Sequence, residues 1–375
     1  LDLKVIKVWY QNKNGWYSYF ADTGFKLCPE LLLNDEDLIR VDETKEANYA
    51  RLRFDDGTVK ERWINPPRQM DKLFWNHYRG GNGFQPMRKE FCDAETLQPV
   101  RIPKGEFKQF FLTVHATKDT PAGLYGGKVE LRGGGGQRMG SIPVEIRVLD
   151  FTLPKPKCYF DDEMDFYVNT SAYNTLAMVM FYNGGDRELA KRQLAAQYKD
   201  HVAHNQDMNA LRWEPGESIE LWQAMKEAGM RTDVMIGGAS VSTVGTPLEL
   251  GSSARRMKAA MRAWYGEQVR EHYLGHGDEE TSRWIIEQRP VYAAYQKAGF
   301  RFVLAGSDNI FNRAGYLYDW HRIAKTPEDD STTRLWNQLG TRPHVAWYAN
   351  HHVGPENPEF NRRQYGLASY LSGYS

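Results

Sequence analysis

Three times in its second half the chain runs from a helix-like segment, through a glycine, straight into a strand-like one. Ala228-Gly229-Met230-Arg231 precedes Asp233-Val234-Met235-Ile236, and Ala298-Gly299-Phe300-Arg301 precedes Phe302-Val303-Leu304-Ala305. Leu339-Gly340-Thr341-Arg342 precedes His344-Val345-Ala346-Trp347-Tyr348. Glycine suits the left-handed position that closes a helix. Helix followed by strand, repeated, implies a parallel sheet covered by helices. Ala190, Leu194, Tyr198 and Val202 recur every fourth residue, which gives one apolar helical stripe.

About seven strands are expected in this half, starting near Tyr159, Met208, Thr232, His272, Arg301, Tyr316 and His344. A (β/α)8 TIM-type barrel has eight strands and about 250 residues, whereas 154–375 supplies 222. Asn361 to Leu371 reads as a seventh helix, and Gly373-Tyr374-Ser375 as the start of an eighth strand. The expectation is a barrel cut before its eighth strand, in a natural protein that continues beyond Ser375. A doubly wound open sheet is the alternative, but no Gly-x-Gly-x-x-Gly follows an early strand to support nucleotide binding.

Residues 1–153 have a different grammar. Val5-Ile6-Lys7-Val8-Trp9-Tyr10 and Gln109 to His115 are rich in β-branched and aromatic residues, and Asp119-Thr120-Pro121-Ala122-Gly123 is turn chemistry. Lys128 to Arg132 and Ile142 to Val148 read as a hairpin with Gly133 to Gly136 at its tip. A phosphate-cradling loop is the sharper alternative there, but no helix with Gly-Lys-Ser/Thr follows to support it. Many short strands between turn signals suggest a β-sandwich. Pro154 and Pro156 mark a stiff linker, so the expected domains are a β-sandwich over 1–153 and a (β/α)8-type domain over 154–375.

Composition narrows the function. Lys+Arg and Asp+Glu both number 48, so the net charge is zero, which argues against a nucleic-acid partner. Mean hydropathy is −0.65, and no apolar run approaches the ~18–20 residues of a membrane span. Cys28, Cys92 and Cys158 are far apart and lack Cys-x-x-Cys spacing, so neither a disulfide framework nor a structural zinc site is expected. His201-Val202-Ala203-His204 lacks the Glu of a His-Glu-x-x-His zinc site, and Gly238-Ala239-Ser240 lacks the closing Gly of a nucleophile elbow. No cofactor and no metal are expected. The chain begins Leu1-Asp2-Leu3 without an initiator Met or a visible signal peptide. A processed or trimmed N-terminus is expected, and an extracellular or periplasmic location.

In a barrel the reacting groups sit at the C-terminal ends of strands. His272-Tyr273-Leu274-Gly275-His276-Gly277-Asp278-Glu279-Glu280 puts acidic residues at such an end, after a glycine and before a helix near Thr281. Paired carboxyl groups equip an enzyme for glycoside hydrolysis. Acidic residues before a helix also stabilise its N-terminus through the dipole. Spacing alone leaves both readings open. Trp213-Glu214, Asp308-Asn309, Asp319-Trp320 and Tyr348-Ala349-Asn350-His351 are further candidates at expected strand ends. An aromatic beside a polar group suits a sugar, with ordinary packing or loop capping as the plain alternative.

Val8-Trp9-Tyr10-Gln11 and Pro29 to Asp42, with Leu112-Thr113-Val114-His115 and Asp119 to Gly127, resemble the N-terminal β-sandwich of glycoside hydrolase family 123. The Phe151-Thr152-Leu153-Pro154 exit resembles the segment leading into that family's barrel. The resemblance implies a β-N-acetylgalactosaminidase-like enzyme with an Asp-Glu pair after the fourth barrel strand, here Asp278-Glu279. It implies Glu279 as general acid, and Asp278 as the group that orients the substrate's 2-acetamido carbonyl to act as nucleophile. Trp213, Glu214, Asp308, Trp320, Tyr348, Asn350 and His351 are then the expected sugar-binding residues. Where family members often carry Pro after the pair, this chain has Glu280. The expected partner is a carbohydrate. A non-catalytic carbohydrate-binding protein on the same scaffold and a glycosidase for a different sugar stay open as alternatives.

Overall fold

In the computed structural model of the chain, Gly229 and Gly299 do close helices, at φ +92° and +85°. The N–H of Gly229 donates to Lys226 O and that of Met230 to Met225 O; Gly299 and Phe300 repeat the pattern on Gln296 and Tyr295. These are paired bonds of the Schellman type, which satisfy carbonyls that a helix end leaves bare. The structure describes residues 1–13, 24–64, 86–87, 89–158, 161–166, 169–170, 175–206, 208–211, 215–237, 240–306, 312–323, 344–347 and 358–374. Gly340, the third such glycine, lies outside them.

The chain divides into two units, one of Leu1–Lys13, Gly24–Pro67 and Glu90–Lys155, the other of Pro156–Ser375 with two shorter stretches, Asn14–Thr23 and Arg68–Lys89. In the first, β1 (Asp2–Asn12) lies between β2 (Phe25–Leu33) and β6 (Phe110–Thr113) in an antiparallel sheet. A second antiparallel sheet holds β3 (Ile39–Asp42), β4 (Ala47–Arg53) and β5 (Val59–Trp63). Val5 and Leu33 of the first sheet share a buried cluster with Leu38 and with Ile39 of the second. The fully buried Asn48 of β4 exchanges two hydrogen bonds with the backbone of Tyr10 in β1, at 2.7 and 2.9 Å. β7 (Gly123–Arg132) and β8 (Arg138–Val148) form the expected hairpin, its glycine tip closed by Gly133 N–H on Gln137 O.

Among the described residues of the second unit, seven strands form one all-parallel sheet in sequential order. They are β11 (Asn169–Thr170), β12 (Met208–Leu211), β13 (Val234–Gly237), β14 (Glu271–Asp278), β15 (Arg301–Gly306), β16 (Trp320–Ile323) and β17 (His344–Trp347). Among the described residues this order has no switch point, the place where a doubly wound sheet binds nucleotides. The intervening helices include α1 (Leu176–Tyr182), α2 (Arg187–Ala203), α3 (Pro215–Glu227), α4 (Pro247–Tyr265), α5 (Ser282–Glu287) and α6 (Arg289–Lys297). Alternate strand residues face opposite sides. Met235, Leu274, Phe302 and Leu304 pack with the helices, including Leu194 and Tyr198 of the α2 stripe. Val234, Ile236, Tyr273, Val303 and Trp320 pack on the other face.

Three expected strand positions are corrected. Near Tyr159 the chain makes a separate antiparallel pair, β9 (Lys157–Cys158) with β10 (Asp161–Asp165). Because β10 folds back on β9, the parallel sheet is entered only at Asn169. Tyr316 lies in a single 3-10 turn, where its hydroxyl accepts from Arg289 (2.7 Å), and the strand begins at Trp320. Gly373 and Tyr374 begin no strand. Their N–H groups donate to Tyr370 O and Ser369 O and so close the helical run that starts at Pro358. That run is helical over Pro358–Arg363, widens to a π-turn over Gln364–Ala368 and ends at Leu371. Among the described residues no helix is long and apolar enough to cross a membrane.

Candidate active site

β14 is the fourth of the seven parallel strands, and Asp278 is its last residue. The strand is regular up to Gly275, which pairs with Val303 of β15; the next pair is Asp278 with Ala305. Three steps on β14 therefore match two on β15. This is a β-bulge, which bends a strand and re-aims the side chains beyond it. It brings Asp278, instead of Gly277, into phase with Tyr273 and Gly275. That phase is the one shared by Val303 and Trp320, opposite the helix layer.

Backbone conformation shows the same break. Gly277 has φ +92° and Glu279 φ +55°. A left-handed conformation costs a non-glycine residue roughly 1–2 kcal/mol, so it persists only where the surroundings impose it. Here the Glu279 N–H donates to Ala305 O of β15 (3.0 Å). A Cβ at position 277 would lie 2.9 Å from the Trp284 ring and 3.0 Å from Glu280 Cγ, so glycine is required by space as well as by φ. Asp278 and Glu279 are both exposed.

The N-cap of the helix after this acidic run is not one of the acidic residues. Thr281 is the N-cap of α5, its hydroxyl accepting from Trp284 N–H (3.2 Å). Asp278 and Glu279 stand ahead of that cap, a position that suits the helix dipole as well as chemistry.

Behind the strand end lies a packed group that sequence reasoning missed. His276 is 7% exposed, with its ring 5.0 Å from Trp284, 5.5 Å from Tyr292 and 6.2 Å from Phe302. Its Nε2 lies 3.2 Å from Gln288 Oε1, and its backbone carbonyl accepts from the Tyr292 hydroxyl (3.1 Å). Burial pushes the His276 imidazole pKa below its ordinary value, against the opposite pull of Gln288 and the Glu280 carboxylate. Burial likewise pushes the Tyr292 phenol up, so it stays a neutral donor. The period-two alternation of His272, Leu274 and His276 was the available signal that these side chains face the helices.

The other expected residues divide in two. Trp213, Glu214, Asp308, Tyr348, Asn350 and His351 lie outside the described residues. Trp320 is not brought to the C-terminal end of the sheet. It is the first residue of β16, 5% exposed, with its ring 5.1 Å from Tyr273 and edge-on to it. The strand begins where it was expected to end, so the indole is core. Asp319, just before it, accepts from Phe302 N–H (2.9 Å) and from Gln296 Nε2 (3.1 Å), a structural bridge from β15 to α6. Among the described residues no three His, Cys, Asp or Glu side chains are grouped to hold a metal ion.

No protein-family model matches the chain, and no curated protein is similar to it. Among solved structures it is similar to a β-glucuronidase from Ruminococcus gnavus in complex with D-glucuronic acid. That neighbour is a glycosidase, 13% identical, with a TM-score of 0.28 over 60% of this chain and 41% of its own. The chain thus spans less than half of the solved protein, and a likeness of this size carries no argument about activity.

Proposed function

We propose that the chain is a glycoside hydrolase acting on N-acetylated amino-sugar glycans, with Asp278 and Glu279 as its catalytic pair. The observation that supports it is the end of β14. Two adjacent exposed carboxylates, Asp278 as the last residue of the fourth strand of a sequential parallel sheet and Glu279 just beyond it, come after a bulge that shifts Asp278 into phase with the face opposite the helices. The reading includes a (β/α)8-type domain after an N-terminal β-sandwich, and it draws on the resemblance to family 123 for the roles.

In this reading Glu279 protonates the glycosidic oxygen as the bond to the anomeric carbon breaks. Asp278 accepts the N–H of the 2-acetamido group and turns its carbonyl oxygen toward the anomeric carbon. That oxygen forms the new bond, and water then opens the cyclised intermediate with retention. Substrate-assisted families are a recognised exception to the two-carboxylate scheme.

The test is turnover of aryl 2-acetamido-2-deoxy-β-glycosides by the wild type and two variants. Glu279→Gln loses the general acid, a loss of ~10²–10⁴-fold, and should recover partly on substrates whose leaving group needs no proton. Asp278→Asn should stay poor even on those. A thiazoline analogue of the cyclised intermediate should inhibit the wild type. Wild-type-like turnover by either variant would overturn the assignment. Trapping a covalent glycosyl-enzyme would retain a glycosidase and reject substrate assistance.

A further inference from the structure

Tyr292 has no part in the proposed bond-breaking chemistry, yet it reaches the strand that carries the pair. It lies in the first turn of α6, 1% exposed, with its ring edge-on to Phe302 at 4.6 Å. Phenylalanine would serve that packing equally well. The hydroxyl is spent instead on the backbone carbonyl of His276, in the peptide that joins His276 to Gly277. This peptide lies inside the bulged stretch between Gly275 and Asp278. A bulge takes a residue out of the ladder, and its backbone groups then need partners from elsewhere. The phenol is such a partner, fixed on a helix and shielded from water.

Further contacts hold the residues on either side of that peptide. The His276 ring is held on one side by Gln288 and on another by Trp284. Trp284 in turn occupies the space above Gly277. Beyond the peptide come Asp278, paired with Ala305, and Glu279 in its left-handed conformation. The geometry points to Tyr292 as a positioning residue: its hydroxyl holds the His276–Gly277 peptide in the bulged conformation that sets Asp278 and Glu279 at the end of β14. The inference rests on the proposed catalytic role of the pair for its consequence in turnover, while the hold itself is a property of the fold.

The same helix supplies a control. Tyr295, one turn along α6, is equally buried, and its hydroxyl accepts from the Ser242 N–H (2.9 Å) in the loop after β13. Tyr292→Phe and Tyr295→Phe each remove one buried hydroxyl and keep the ring. Amide hydrogen exchange reads the hold directly, because the Glu279 N–H is bonded to Ala305 O. In Tyr292→Phe the Glu279 amide should exchange about tenfold faster, the weight of one hydrogen bond, with Tyr273 and Leu274 unchanged. Tyr295→Phe should move Ser242 and leave Glu279 alone. With an aryl 2-acetamido glycoside, Tyr292→Phe should lower kcat by roughly 10–100-fold, the effect of a small misplacement, and leave KM within about twofold.

Unchanged exchange at Glu279 in Tyr292→Phe overturns the inference. So does an equal loss of protection along all of β14, or the same response in both variants. The expected exchange changes with an unchanged kcat overturn the positioning role. A wild type that turns over no 2-acetamido glycoside overturns the proposed function instead, and the exchange result still decides whether the hydroxyl holds the bulge.

Discussion

Strands in the two units of this protein bury very different shares of themselves. In the β7–β8 hairpin, Leu124, Ile142 and Leu131 are 59%, 56% and 48% exposed, whereas Leu274 of β14 and Phe302 of β15 are fully buried. Hydrophobicity does not separate them, since both sets are ordinary strand residues. The connection does. A parallel pair must be joined by a crossover, which brings a helix over the sheet. A hairpin is closed by a short turn, here Gly133 to Gln137, and that turn satisfies the backbone while covering neither face. The first unit buries side chains where two sheets share a cluster, around Val5, Leu33, Leu38 and Ile39.

Truncating one leucine in each unit is the strongest way to break this contrast. Leu274→Ala should destabilise the second unit by about 2–5 kcal/mol, because it removes fully buried methyl groups and leaves a cavity. Leu124→Ala should change stability by no more than about 0.5 kcal/mol. Urea unfolding followed by tryptophan fluorescence and far-ultraviolet circular dichroism measures both. Equal losses would mean that the hairpin face is covered in solution, and the contrast would vanish.

Acid should separate the units next. His272 of β14 is fully buried, with Nδ1 3.2 Å from Lys258 Nζ. Burial, with the Lys258 charge beside it, holds its pKa down to about 3, from an ordinary value of 6.5. A depressed histidine pKa means that the unfolded chain binds the proton first. Stability from this group is therefore full above pH 6.5 and falls as pH drops from 6.5 toward 3, by on the order of 2 kcal/mol at pH 5. His276, also depressed by burial, acts with the same sign. Asp233, held at about 2 chiefly by its hydrogen bonds from Arg231, adds a loss only below about pH 4. In the first unit the Arg40 guanidinium keeps Glu61 below the usual carboxylate range, so that pair too is lost only under stronger acid. Unfolding midpoints at pH 7 and pH 5 should diverge for the second unit and hold for the first. His272→Leu should remove most of the divergence; a variant as acid-sensitive as the wild type would refute the assignment to His272.

What could be read in the sequence was local. The glycines at 229 and 299, the α2 stripe and the β7–β8 hairpin depend on residues a few positions apart, and they were legible. The entry to the parallel sheet was not, because β9 and β10 pair with each other through contacts that no periodicity reports. Gly373 shows why glycine is ambiguous: it suits both a strand start and a helix end, and here it closes a helix at φ +76°. At the candidate site the Asp278-Glu279 pair was legible as chemistry. The bulge beneath it was not, since it depends on the register with β15. Trp320 failed for a related reason: an aromatic next to an aspartate looks the same at either end of a strand.

Glycines give the smallest effect and the cleanest contrast. Gly299 sits at φ +85°, and an added Cβ would meet only Lys258, with Cε at 3.8 Å, an ordinary contact. Gly299→Ala therefore suffers no clash, only the left-handed backbone, and should cost about 1 kcal/mol. Gly229, at φ +92° with Val202 at 4.0 Å, should behave alike. Gly127 in β7 has no positive φ, and an added Cβ there would meet nothing within 4 Å. Alanine at 127 restricts the unfolded chain without straining the folded one, which should be neutral or stabilise by up to about 1 kcal/mol. The three substitutions remove the same hydrogen and add the same methyl group, so any difference between them is backbone conformation. Urea midpoints decide it. A loss at Gly127 equal to that at Gly299 would place the hairpin strand under a constraint comparable to a helix end. A neutral Gly299→Ala would mean that the closing turn of α6 does not need the left-handed residue on which the helix-to-strand reading was built.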